Sequence, residues 1–75
     1  MNKDELLKQL HSLIEGAVND LDKNRCWFVL GVISSYNDFE IINDKSFDEL
    51  SDIVINHMLF IDRMEDIFGH LPSQD

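Results

Sequence analysis

The sequence predicts an all-α protein, a small bundle of three to four helices, from three observations. Apolar residues recur at helical spacing through the first twenty residues and again through the last thirty. Polar capping residues stand in front of both runs. One proline and three glycines in 75 residues leave few interior breaks.

The first helix is the clearest. Leu6, Leu7, Leu10, Leu13, Ile14, Ala17, Val18 and Leu21 form one stripe at i, i+3, i+4, i+7 spacing. Asn2 is placed to cap it, with Glu5 three residues on. Asp4 and Glu5 suit the positive end of the helix dipole. The stripe ends at DKN, residues 22–24, read as a short turn. Gly16 lies inside the helix and can serve a close helix crossing.

The second element, CWFVLGVI from Cys26 to Ile33, is continuously apolar and rich in aromatic and β-branched residues. Periodicity alone does not separate a buried strand from a buried helix here. The series Trp27, Leu30, Ile33, Tyr36 and the polar turns on either side favour a helix over about residues 24–36, with Gly31 allowing tight packing. Trp27, Phe28 and Tyr36 are candidate binding hot spots, but in a chain with so few large side chains they are expected in the core, with Tyr36, near the following loop, the exception. Residues 37–45 read as a connector pinned by Phe39, Ile41 and Ile42.

The third element opens with a capping box, Ser46 to Glu49. Phe47, Leu50, Val54, Ile61, Met64, Phe68 and Leu71 then follow in steps of three and four, with His57 in the one missing place. Gly69 and Pro72 mark the stop, leaving residues 72–75 as a short tail of the single domain. A helix from Phe47 to Phe68 would be about 33 Å long. That is long for such a small domain, so either it breaks near Asn56-His57 into two helices or part of its length is covered by something outside this chain.

Within it, SDIVINHMLFIDRMED is oily almost all round. Advancing about 100° per residue puts Leu50, Val54, His57, Ile61, Met64 and Phe68 on one side. Asp48, Asp52, Asp62 and Asp66 fall on the other, with Ile55 and Leu59 among them. An apolar pair inside an acidic frame has the anatomy of a protein interface. Tyr36, Asp38 and Glu40 are candidate additions to it.

Charge narrows the partner. Acids outnumber bases 15 to 6, a net charge of −9. Residues 26–75 hold ten acids against only Lys45 and Arg63, and so carry −8 of it. Such a field repels nucleic acid and anionic lipid and attracts basic proteins.

The chemistry of catalysis is not written in the chain. His11, His57 and His70 have no metal-ligand spacing, and there is no CxxC, HExxH, GxSxG or glycine-rich phosphate loop. No metal or other cofactor is implied. Cys26 is alone, so no intrachain disulfide forms, and beside two aromatics it reads as an inert buried thiol. MNKDELLKQL lacks the apolar core of a signal peptide, and no apolar run is long enough to span a bilayer, so a cytoplasmic protein is expected.

These features suggest a non-enzymatic binding module. In size, acidity and lack of a catalytic motif, though in no sequence motif, the chain resembles bacterial immunity proteins. That implies an immunity or antitoxin-type inhibitor covering a basic, nuclease-like toxin. Two alternatives use the same features: a nucleic-acid mimic of the anti-restriction or anti-CRISPR type that blocks a nucleic-acid-binding enzyme, and a structural or regulatory helical homodimer.

Overall fold

A computed structural model describes residues 2–69. They form three helices in up-down-up order: α1 (Lys3–Val18), α2 (Lys23–Asp38) and α3 (Asp44–Phe68). Among the described residues there is no strand. Each helix starts at a side-chain cap. Asn2 accepts from the Glu5 amide at 2.9 Å, Asp22 from Asn24 at 2.9 Å, and Asn43 from Ser46 at 2.8 Å. Each cap satisfies a backbone donor that a free helix end would leave unpaired.

Two of those caps shift the expected boundaries. Residues 22–24 are not a turn: Asp22 is the cap of α2, and the turn is residues 19–22, so Leu21 lies outside α1. Ser46 does not cap α3. Asn43 does, and Ser46 sits in the first turn. Asparagine and serine are comparable caps, and Asn43 lies one turn before Ser46. Gly69 ends α3 with φ of 80°, a backbone position that suits a residue without Cβ. His70, Leu71 and Pro72, like the expected tail 72–75, lie outside the described residues.

The ambiguous CWFVLGVI segment is helical throughout, and α3 runs unbroken through Asn56 and His57. The core is Leu10, Ile14 and Ala17 from α1, Cys26, Val29 and Ile33 from α2, Val54 and Ile61 from α3, and Ile42 from the connector. Gly31 meets nothing within 4 Å of where a Cβ would stand, so it serves no tight packing. At Gly16 the neighbour is the Arg25 side chain rather than a helix backbone: an added Cβ would lie 2.7 Å from Nη2.

Two side chains tie the bundle together at opposite ends. Tyr36 Oη donates to the Leu6 carbonyl at 2.9 Å, joining the end of α2 to the start of α1. His57 Nε2 bonds the Asp20 carbonyl at 2.5 Å, joining mid-α3 to the α1–α2 turn. A carbonyl can only accept, so Nε2 carries the proton. The histidine ring also stacks on Phe60, with centroids 5.9 Å apart.

The helices are unequal. With 16 residues, α1 and α2 are each about 24 Å long, whereas the 25 residues of α3 span about 37 Å. The His57 bond marks where α1 ends against α3. Eleven residues, Met58 to Phe68, continue about 16 Å past that level. The molecule's long dimension, 42 Å, follows from this overhang.

Candidate partner interface

The orientation of α3 decides which side chains are free. Ser51, Val54 and Ile61 are buried, while Leu50, His57, Met58 and Met64 are half-buried. Phe68, expected among the core residues, is 65% exposed. The buried stripe is turned by about 40° from the expected one, toward Ser51 and Met58. Near its end α3 has outrun the other helices, so among the described residues little packs against Phe68.

Take Val54 as the centre of the buried face. Asp62, Ile55, Asp48, Asp66, Leu59 and Asp52 then fall at about 80° to 160° on one flank. The Lys23 ammonium on α2 pairs with Asp62 at 2.7 Å and lies 3.3 Å from Glu65, so this flank faces α2. Ile55 is 43% exposed and Leu59 59%. Neither α2 nor the connector buries them. Asp48, Asp52, Asp62 and Asp66 are exposed beside them.

The second element completes the surface in an unexpected way. Its buried face is Cys26, Val29 and Ile33, with Leu30 and Tyr36 half-buried. Trp27 and Phe28, expected in the core, are 63% and 62% exposed. Eight consecutive apolar residues on a helix cannot all face inward, and the continuous run concealed which would be left out. Trp27 shares the flank of Lys23, about 40° from it and one turn on. The helical wheel therefore puts it toward the α3 side of α2, one turn along from Lys23. The candidate surface is thus the exposed Ile55 and Leu59 within the acidic frame of α3, with the exposed Trp27 on the adjoining helix. No pattern inside the apolar run singles out Trp27, whose exposure depends on which face of α2 packs inward.

The remaining candidates divide. Tyr36 faces α1 and spends its hydroxyl on Leu6, so it is a structural tie and not part of this surface. Asp38 and Glu40 are exposed at the far end, beside Asp44, around an open recess of about 650 Å³ at the α2–α3 connector. Phe39, expected to pin that connector, is 79% exposed, and Ile42 is the residue that is buried.

Electrostatics at the groove are local. Lys23 is held above the ordinary lysine pKa, first by its hydrogen bond to Asp62 and then by Glu65. One cation thus offsets part of the acidic frame, and a basic partner would compete with it for Asp62. Burial pushes the Cys26 thiol up, with the charges of Asp22 and Asp20 adding to the effect. Among the described residues no group of three or more His, Cys, Asp or Glu is placed to hold a metal ion, and no helix is long and apolar enough to cross a membrane. No protein-family model, no curated protein and no solved structure matches the chain.

Proposed function

We propose that the protein is a small acidic inhibitor of the immunity or antitoxin type, which neutralises a basic, nuclease-like partner by covering its surface. The observation that carries this reading is the Trp27, Ile55 and Leu59 surface framed by Asp48, Asp52, Asp62 and Asp66. Exposed tryptophan is the residue type most often found at the energetic centre of an interface. The carboxylates would steer a basic partner in, and the apolar three would hold it.

The same arrangement argues against mimicry of a nucleic-acid backbone. A mimic needs carboxylates in a regular row. Asp48 and Asp52 are about 6 Å apart along α3, but about 15 Å then passes before Asp62. Ile55 and Leu59 occupy that gap.

The test is a pull-down from the native host with wild type and with the Ile55→Asp/Leu59→Asp double variant, at low and high salt. The captured protein's activity is then assayed against increasing inhibitor. A basic protein retained by wild type, lost with the double variant, weakened by salt and silenced at one-to-one stoichiometry is the expected result. Capture that is indifferent to the double variant, or a captured protein whose activity is untouched, would sink the reading.

A further inference from the structure

The other flank of α3 carries a second apolar surface, distinct from the one just described. On the side that faces α1, Ile53, Phe60 and Ile67 fall at about −100°, −120° and −140° from Val54. They are 47%, 48% and 64% exposed. Their spacing is seven residues and seven again, the repeat that keeps a stripe facing a neighbouring helix. Phe60 and Ile67 belong to the part of α3 that continues beyond α1, so among the described residues no helix covers this flank there.

We infer that this stripe is the interface between two copies of the chain, packed antiparallel through α3 with Phe60 on the two-fold axis. Three features point to a second copy rather than a foreign partner. First, the stripe is symmetric about Phe60. In an antiparallel pair Ile53 of each copy faces Ile67 of the other, as a two-fold interface requires. Second, the charges match. Arg63 is the only basic residue of α3 beyond Lys45 and joins no ion pair among the described residues. In this register it comes within about 1.5 Å of the height of Asn56 on the other copy. Asp52 lies about 6 Å beyond Asn56 on the same side, within reach of an arginine side chain. Third, α1 ends at the level of His57. The overhang of each copy would therefore run beside the other copy's α1, and neither α1 would obstruct the other.

The interface is small, with three half-exposed apolar residues from each copy, and two chains of charge −9 repel one another. The dimer is accordingly weak, and it strengthens as salt screens that repulsion. This sign is opposite to that expected for a basic partner at the Trp27 surface.

The experiment is sedimentation over a concentration series at low and high salt, on wild type, Phe60→Asp and Leu59→Asp. Circular dichroism checks that each variant is folded. The expected result is a dimer that grows with concentration and salt, weakened by about thirty-fold or more in Phe60→Asp and retained in Leu59→Asp. In parallel, Phe60→Cys should form an intermolecular disulfide under mild oxidation, because two-fold symmetry brings the two thiols together. Leu59→Cys should not. A monomer at every concentration, a dimer unmoved by Phe60→Asp, or cross-linking through Leu59→Cys in preference to Phe60→Cys would each overturn the proposal. A host protein captured through Phe60 while the chain stays monomeric would do so as well. Asp52 borders both surfaces, but binding at the Trp27 surface is read by a different variant and the opposite salt dependence, so the two proposals fail separately.

Discussion

Cys26 and Lys23 are three residues apart and make related statements about pH. Both have folded-state pKa values raised above the ordinary one, Cys26 by burial and Lys23 by its hydrogen bond to Asp62 and then by Glu65. A group raised on folding adds stability that is complete below its unfolded pKa and lost as pH rises through the folded value. The reference values are 9.0 for the thiol and 10.5 for the amine. Stability should therefore fall as pH climbs through the alkaline range, and urea unfolding at stepwise increasing pH will show it. Lys23→Met should remove the upper part of that decline while costing little at neutral pH, since half-exposed ion pairs contribute little. Flat stability from neutral to strongly alkaline pH would contradict both assignments. Cys26, with no exposed surface, should stay unreactive toward a thiol reagent in the native protein and react fully once urea has unfolded it. The inward position of His57 was legible, because it filled the apolar step between Val54 and Ile61. Its acceptor, the Asp20 carbonyl, was not legible, since no pattern in one helix reveals which turn packs against it.

At the scale of single elements, the helices were read where capping and periodicity agreed and misread where only one spoke. α1 has a cap, an acidic first turn and a clean stripe, and its start and face were foreseen. α2 is apolar on every side at its centre, so its helical state followed from the flanking turns while its outward face, Trp27 and Phe28, did not. The start of α3 moved from Ser46 to Asn43 because two good caps compete within one turn. Ile55 and Leu59 stood out from the wheel of α3 alone, but Trp27 and the Phe60 stripe depend on how the helices pack. Three changes test these elements. Ile61→Ala removes a fully buried side chain between α2 and α3 and should cost about 2–5 kcal/mol, enough to unfold a domain this small. Thermal unfolding followed by circular dichroism measures it, and a loss well below that range would mean the site collapses around the gap. Glu40 sits in the connector with φ of 60°, a left-handed conformation that costs a residue with a Cβ about 1–2 kcal/mol. Glu40→Gly should therefore raise the midpoint of urea unfolding despite adding a glycine. Gly16→Ala gains roughly 1 kcal/mol of helix propensity and displaces only the flexible end of Arg25, whose pair with Asp20 at 3.5 Å is half-exposed. It should be neutral or stabilising in the same assay, and a clear loss would show that Arg25 has no other place to go.

For the whole molecule, the asymmetry of surface is the main result. The outward face of α1 is polar, while α2 and α3 leave apolar side chains in the open. Hydrophobic residues scattered singly on a surface require no explanation, but here most of the large ones lie on α3, with Trp27 and Phe28 on α2. If the Trp27 surface is the inhibitory one, Trp27→Ala should lower affinity for a basic partner by about 2 kcal/mol or more without changing the unfolding midpoint. Titration calorimetry paired with a urea melt separates the two effects. Equal affinity in the variant would move the interface elsewhere on the protein. The unequal helix lengths also turn α3 into a graded reporter of the molecule's own association. Backbone amides exchange with solvent in proportion to how easily their segment opens. The amides of α3 level with α1 and α2 should exchange only as the whole bundle opens, and those of the projecting turns should exchange much sooner. Docking anything against the overhang would erase that gradient residue by residue, so a single deuterium-uptake profile along one helix records whether its end is covered and how far the cover extends.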